Sequence, residues 1–204
     1  MDSINLAVIY YSATGTNYQM AHSAAEAGQA AGAAVRLLKV PELAPASAIA
    51  GNPAWQAHVE ATKHISAATV EDIEWADALI FCAPTRFGNM AGQMKQFLDT
   101  MGGPWAAGKT VNKVVSAATS AQNPHGGQEA AILSLYTSMY HWGAIVVAPG
   151  YTDPVVFGAG GNPYGTSVSA LRDGTIAEAA VLAVQHQARR VVTVAKWLKA
   201  GQRA

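Results

Sequence analysis

Short apolar runs alternate with longer stretches of helical periodicity along this 204-residue chain. The runs are rich in Val, Ile and aromatic residues, and they are continuously apolar where a half-exposed strand would alternate. Strands covered on both faces have this pattern, and such strands belong to parallel sheets. The runs cover residues 6–11, 34–40, 78–83, 113–118 and 144–148. We predict that the first, third, fourth and fifth of these strands are central.

Helical periodicity fills the gaps between the runs, and its alanines would let helices approach the sheet closely. These stretches cover residues 17–32, 92–101, 128–140 and 175–199. Five strands and about five helices in alternation predict an α/β fold, an open twisted parallel sheet with helices on both faces. Residues 41–69 and 151–173 exceed an ordinary connection in length, so we expect them to be functional or interfacial insertions within a single domain, 1–204.

The composition narrows the class of protein. Hydrophobic residues make up 50% of the chain and charged residues only 13%, against about 25% charged in an ordinary soluble domain. We therefore expect subunit contacts to cover part of the surface. Lys plus Arg and Asp plus Glu number 13 each. This balance argues against a nucleic-acid partner and against an acidic docking surface.

The start of the chain and its cysteine content predict a cytoplasmic protein. Met1-Asp2-Ser3 lacks the basic segment of a secretory signal, and no apolar run is long enough to insert into a membrane. Cys82 is the only cysteine, which excludes an internal disulfide and a multi-cysteine metal site. Its apolar neighbours predict an inert thiol in a buried strand, and we predict no metal site.

The most specific chemistry directly follows the first predicted strand. Hydroxyls, a glycine and an amide lie there before a helix start, so backbone N–H groups and the helix dipole would converge on an anion. The loop has no Lys or Arg and matches neither a P-loop nor Gly-x-Gly-x-x-Gly, which favours the single terminal phosphate of FMN. The alternative is a helix-capping cluster, although one hydroxyl would be enough for that. The residues are Ser12, Ala13, Thr14, Gly15, Thr16 and Asn17.

A second nucleotide-binding pattern is in the wrong context. Residues 103–110 match the P-loop pattern letter for letter. They follow a predicted helix and precede a predicted strand, whereas a P-loop follows a strand and opens a helix. We therefore interpret the match as chance. Trp105 within it is of more interest, because an exposed aromatic side chain can cover a flat ring.

Two more polar loops follow the third and fourth predicted strands. In the doubly wound order 2-1-3-4-5, ligands bind at the carboxyl ends of the strands, near the switch point between the first and third strands. Donors and an aromatic side chain there could frame a flavin ring; as an alternative, Phe87 could be a packing residue and Arg86 a solvated charge. The loop residues are Thr85, Arg86, Phe87, Gly88 and Asn89, then Thr119, Ser120, Ala121, Gly126 and Gly127.

Taken together, these stretches resemble the WrbA family, tetrameric FMN-dependent NAD(P)H:quinone oxidoreductases of the flavodoxin superfamily. The resemblance covers nearly the whole chain, and residues 84–99 are the part most specific to that family. The matching stretches are residues 10–12, 84–90, 92–99, 102–103 with Trp105, 126–129, 149–151 and 160–165.

The resemblance implies a flavodoxin-like fold, an FMN cofactor, NADH or NADPH as co-substrate, a quinone as acceptor and a homotetramer. Residues 12–17 would bind the FMN phosphate, residues 85–89 and 119–127 would frame the isoalloxazine, and Trp105 would shape the substrate site. The implied reaction is ping-pong. Hydride passes from a nicotinamide to FMN, and a quinone then takes the nicotinamide's place to receive two electrons.

The chain departs from the family in its 119–127 loop, which is longer than the usual Gly-rich version, and at one triplet. The family's His-His-Gly is His141-Trp142-Gly143 here, so Trp142 replaces a flavin-facing histidine. His141 is a candidate catalytic or substrate-binding residue, or a histidine that merely ends a helix.

Two other functions stay open. One is a one-electron flavodoxin carrier, which a zero net charge disfavours, and the other is a regulatory interaction module.

Overall fold

The fold is a parallel sheet with helices on both faces, as predicted. The computed structural model describes residues 3–171 and 174–202; Met1, Asp2, residues 203–204 and the end of the second predicted insertion, residues 172–173, lie outside the described residues. The main strands follow the order β2-β1-β3-β5-β6, which is the predicted 2-1-3-4-5 with one short hairpin strand added. The strands are β1 (Ile4–Tyr10), β2 (Ala33–Lys39), β3 (Ala78–Arg86), β4 (Asn89–Met90), β5 (Val114–Ala121), β6 (Ile145–Val146) and β7 (Ser167–Ser169).

The four predicted helices are present, with ends shifted by a few residues. Short helices that the periodicity did not predict lie between them. In the two described ranges, no helix combines the length and the apolar character needed to cross a membrane. The helices are α1 (Thr16–Ala30), α2 (Ala46–Ala50), α3 (Pro53–Ala61), α4 (Val70–Trp75), α5 (Gly92–Asp99), α6 (Gly102–Ala106), α7 (Gln128–His141), α8 (Val155–Gly158) and α9 (Glu178–Gly201).

Two apolar clusters fill the two faces of the sheet. On one face α1 and α9 pack against the strands, with Met20 and Val184 fully buried. On the other face α4, α5 and α7 do the same, with Met94 and Leu135 buried. Cys82 belongs to the first cluster, and burial raises the pKa of its thiol to about 12. The thiol is therefore protonated and shielded at neutral pH, as expected of an inert core cysteine.

The fifth predicted strand is at the edge of the sheet, so the prediction that it is central was wrong. Only its first part pairs, as β6, with Val114 and Val115 of β5. The chain then leaves the sheet through the second insertion, which contains α8, and returns as β7 beside residues 119–121. Among the described strands, β6 and β7 each pair with β5 alone. The continuous apolar run of residues 144–148 is therefore buried by helices and by the second insertion, and not by a place in the middle of the sheet.

Gln187 of α9 anchors the point where the chain returns to the sheet. Its side chain is almost fully buried. The amide Oε1 accepts from the Thr166 N–H at 2.8 Å, and Nε2 donates to Ser116 Oγ and to Ala117 O, both at 2.8 Å. Thr166 O in turn accepts from the Thr119 N–H at 3.0 Å. One side chain thus connects α9, the middle of β5 and the end of the insertion.

Replacing Gln187 with Met should therefore destabilise the protein. Methionine fills a similar volume, but it leaves the buried Thr166 N–H and part of the β5 hydrogen bonding without a partner. We expect a loss of about 2–4 kcal/mol in the free energy of unfolding, measured by urea denaturation. Gln29→Met, at an exposed position on α1, is the control and should have little effect. Equal stability of the two variants would contradict this role.

Candidate functional site

The loop after β1 leaves several backbone donors free at the start of α1. Gly15 precedes the helix with φ 103°, a left-handed conformation that favours glycine, and its N–H donates to Ser12 Oγ at 3.0 Å. In the described part of the chain, the backbone N–H groups of Thr16, Asn17 and Tyr18 have no hydrogen-bond acceptor. Several donors at the positive end of a 15-residue helix therefore remain available to a ligand.

Asn17 connects this loop to the end of β5. Its side chain is 1% exposed, and Nδ2 donates to Ser120 Oγ at 2.8 Å. Asn17 Oδ1 is also buried, yet it has no partner among the described residues. Thr119 Oγ1 donates to Ala83 O of β3 at 2.7 Å. The ends of β1, β3 and β5 are thus joined, and one polar atom in their midst is unsatisfied, which is unusual in a folded protein.

A tight hairpin joins β3 to β4 and carries the second predicted loop. Phe87 and Gly88 form its turn with φ 52° and 78°, the positive pair that a two-residue type I′ turn requires. Such a conformation is strained for a bulky residue, and the Phe87 ring is fully exposed. Asn89 Oδ1 accepts from Ser134 Oγ at 2.7 Å, which fixes the hairpin to α7. Thr85 and Arg86 lie on the strand just before the turn.

The third predicted loop packs against this hairpin. Gly127 has φ 86°, and a β-carbon there would lie 2.7 Å from Gly88 Cα, so only glycine fits. The preceding turn is organised by Asn123, whose Oδ1 accepts from the His125 N–H at 2.9 Å and whose carbonyl accepts from the Gly126 N–H at 3.1 Å. The loop is therefore an ordered element. It also lines a cavity of about 600 Å³ shared with the second insertion.

A carboxylate that sequence analysis missed lies beside these loops. Glu42 accepts hydrogen bonds from Tyr11 Oη at 3.0 Å and from Trp55 Nε1 at 3.2 Å. Gln93 Nε2, at the start of α5, donates to Glu42 at 3.0 Å and to Tyr11 Oη at 2.8 Å. The backbone N–H groups of residues 43 and 44 also donate to it. Glu42 thereby attaches the first insertion to the strand ends.

The charge states in this cluster follow from burial and these bonds. Burial acts to raise the pKa of Glu42, but the hydrogen bonds from the Ala44 N–H, Gln93 and Tyr11 outweigh it and hold the pKa below its ordinary value. Burial, followed by the charge of Glu42, raises the pKa of Tyr11 well above its ordinary value. At neutral pH the pair is therefore a carboxylate and a neutral phenol.

The three predicted substrate residues lie at the other end of the sheet, near the amino ends of the strands. Trp142 caps the carboxyl end of α7, three residues before β6 begins, and its carbonyl accepts from Thr110 Oγ1 at 3.0 Å. Trp105 Nε1 donates to His141 O at 2.9 Å, and its ring is exposed. Trp142 is buried and meets Phe81 edge-on, with ring centroids 6.4 Å apart. These residues line a cavity of about 470 Å³ beside the amino ends of β5 and β6. Because α7 leads from the carboxyl end of β5 back to the amino end of β6, these residues lie at the end of the sheet opposite residues 12–17 of the same chain.

The P-loop-like segment is also found in the context predicted for it. Residues 103–110 lie in α6 and the turn after it, between α5 and β5. Its last residue, Thr110, is buried and bonded to Trp142. The segment follows a helix and precedes a strand, so it has no helix start to receive a nucleotide phosphate.

Comparison with known proteins shows which family this chain belongs to. Residues 4–153 match the family model described as NADPH-dependent FMN reductase. The chain belongs to this family. A relative from Deinococcus radiodurans, named NAD(P)H dehydrogenase (quinone), is 53% identical over 189 residues, covering 93% of this chain and 94% of its own. One of the same name from Aromatoleum aromaticum is 39% identical, covering 97% and 98%.

The structural comparison supports the same fold. The crystal structure of a WrbA-like flavodoxin protein from Agrobacterium tumefaciens superimposes with a TM-score of 0.68 at 22% identity, covering 96% of this chain and 99% of that one. The flavodoxin-like fold and the family predicted from the sequence are thus confirmed. In this NADPH-dependent FMN reductase family member, the matched residues include the three polar loops and Glu42.

Replacing Glu42 with Gln should remove a pH-dependent part of the stability. Because the folded pKa of Glu42 lies below its ordinary value, its contribution is fully present above the unfolded pKa and is lost as pH falls through the folded pKa. The free energy of unfolding of the variant should therefore fall below that of the wild type at neutral pH, and the gap should close in acid. Urea denaturation over a pH series measures this gap.

Glu60→Gln is the matched control, since Glu60 is an exposed carboxylate on α3 whose ion pair within the described ranges is with Lys63. It should change stability little at any pH. A gap between Glu42→Gln and wild type that does not depend on pH would mean that the charge of Glu42 has no part in holding the first insertion.

Proposed function

We propose that this protein uses bound FMN to reduce quinones at the expense of NADH or NADPH. The observation that carries the proposal is the loop of residues 12–17. It leaves backbone donors free at the start of the 15-residue helix α1, and it contains no Lys or Arg. Neutral donors of this kind suit one terminal phosphate, and the site lies at the switch point between β1 and β3, where flavodoxin-like folds hold FMN.

The residues around the loop fit the rest of FMN. The unpartnered buried amide oxygen of Asn17 suits a ribityl hydroxyl, which can donate to it. Residues 85–89 and residues 119–121 with 126–127 border the same crevice and would frame the isoalloxazine ring. FMN, when bound, supplies the ability to accept a hydride and to pass on two electrons.

The chain's own residues would bind and orient the reactants. Gly88 and Gly127 let two backbones approach closely and so shape one wall of the crevice. Phe87 presents an exposed ring at the tip of its hairpin, in a place where an aromatic can stack on a planar reactant. The matched relatives named NAD(P)H dehydrogenase (quinone) support a nicotinamide nucleotide and a quinone as the two substrates. Such a reaction needs no paired acid and base from the protein.

We also propose a homotetramer, in which Trp105 of one subunit approaches the flavin site of another. Two observations support it. Trp105, His141 and Trp142 line a cavity whose lining includes none of residues 12–17 of the same chain. Large apolar side chains are also exposed on several elements, among them Leu133 and Tyr140 of α7. A single FMN-binding domain, 1–204, in the cytoplasm completes the proposal.

Removing a hydroxyl from the loop of residues 12–17 should weaken FMN binding. Thr16 is buried at the first position of α1, so Thr16→Val keeps the shape and deletes one donor. We expect a loss of about 1–3 kcal/mol in binding free energy, and the same for Thr14→Val, since each lost bond would be to a charged phosphate. Flavin fluorescence titration measures it.

The control is Thr193→Val on α9, an exposed position whose hydroxyl donates to the Arg189 carbonyl. It should leave FMN affinity unchanged. Unaltered affinity in both loop variants would refute the phosphate assignment, and so would a preference for FAD or ATP over FMN.

Replacing Trp105 with Ala should impair quinone reduction more than FMN binding. If its ring stacks on the substrate, kcat/KM for benzoquinone with NAD(P)H as donor should fall about 3- to 10-fold, with FMN affinity unchanged. Trp197→Ala, which removes an exposed Trp from α9, is the control. The wild type should show ping-pong steady-state kinetics.

Two outcomes would contradict these proposals. Negligible NAD(P)H-dependent quinone reduction by the FMN-loaded wild type would favour the one-electron carrier. A monomer at every concentration in light scattering would rule out the tetramer, and Trp105 could then not reach a flavin site.

A further inference from the structure

A histidine from the first insertion lies directly against the loop of residues 12–17. His58 is on α3 and is partly buried. A β-carbon added at Gly15 would lie 3.5 Å from His58 Nδ1 and 4.0 Å from Cε1; among the described residues, apart from the two chain neighbours of Gly15, no other atom lies within 4 Å. A ring nitrogen of His58 therefore faces the one residue of the loop whose backbone must be left-handed.

The surrounding contacts hold His58 in this place. Its ring lies against the Tyr18 ring of α1, with centroids 5.7 Å apart and a tilt of 54°. Its carbonyl accepts from Thr62 Oγ1 at 2.8 Å, and Thr62 O accepts from Lys39 Nζ at 2.7 Å. The end of α3 is thus attached to β2 through a lysine, and the imidazole packs against Tyr18.

The loop of residues 12–17 has donors but no cation, and His58 stands where a cation would complete it. We propose that His58, in its protonated form, pairs with the phosphate of FMN and makes the site selective for the phosphorylated flavin over riboflavin. This inference rests on the proposed FMN site. It assigns the first insertion a part in cofactor binding.

The charge on His58 would depend on the ligand. The groups that bear on it are Tyr18 of α1, against its ring, and Lys39 of β2; His22 and Tyr10 also contact the Tyr18 ring. Burial, and then the charge of Lys39, lower the pKa of His58 in the free protein. At neutral pH the ring is therefore uncharged until an anion binds. A phosphate dianion beside it would raise its pKa, so binding should take up a proton.

The test compares wild type with His58→Gln, which keeps a polar side chain and cannot become charged. FMN affinity of the variant should fall about 10- to 100-fold, while riboflavin affinity stays the same and so reports an intact site. His22→Gln is the matched control, because His22 also contacts Tyr18 but is exposed and pairs with Glu26. It should bind both flavins as the wild type does.

Calorimetry supplies a readout that packing alone would not change. At about pH 7.5 the phosphate of FMN is already mostly a dianion, since its second pKa is about 6. Titrations in buffers of different ionisation enthalpy should show proton uptake by the wild type and by His22→Gln, and none by His58→Gln. The His58 ring signal in nuclear magnetic resonance should titrate at higher pH with FMN bound.

Failure of this inference differs from failure of the function. If the wild type binds FMN, but His58→Gln binds it equally well, loses riboflavin to the same extent, or takes up protons like the wild type, His58 is not the phosphate's cation. If the wild type binds no FMN, the proposed function and this inference both fall.

Discussion

The parallel pairing of β1 with β2 on one side and β3 on the other is the constraint on which the rest of the structure depends. Because the strands run the same way, their carboxyl ends meet at one edge of the sheet. The connections from β1 and β3 leave to opposite faces, α1 to one and α5 to the other. A crevice between them follows from topology alone. The polar loops after β1, β3 and β5 surround this crevice, because each follows the carboxyl end of its strand.

Side-chain contacts convert that crevice into a defined site. The amide of Asn17 joins the first loop to β5, and Thr119 joins β5 to β3. Glu42 and His58 bring the first insertion onto the same edge from outside the sheet. The site is therefore assembled from regular elements at its base and from an insertion at its rim.

Much of this could be predicted from local sequence. Continuous apolar runs mark buried parallel strands wherever the structure covers both faces, and the hydroxyl-rich loop is recognisable because all its parts are adjacent in the chain. The short α2, α3 and α8 could not be found by periodicity, since they bury few apolar residues of their own. The three residues of β7 are two serines around one valine, which no apolar pattern would identify as a strand.

The roles of Glu42 and His58 could not be predicted, because their partners lie far away in sequence and only tertiary packing brings them together. For the same reason the distance of Trp105 and His141 from the crevice could not be read from their motifs.

The interruption of the fifth strand also affects how the sheet ends. An exposed edge strand offers unpaired backbone groups to any other chain, and long flat edges promote aggregation. Here one border consists of β6 and β7, two and three residues long, with the insertion between them. The other border, β2, carries Arg36 and Lys39, and its last residue is bridged by Ala67 of the same chain. Neither border offers a long uncharged template. A protein with so few charges elsewhere is thus protected from sheet-to-sheet association at the places where such association would begin.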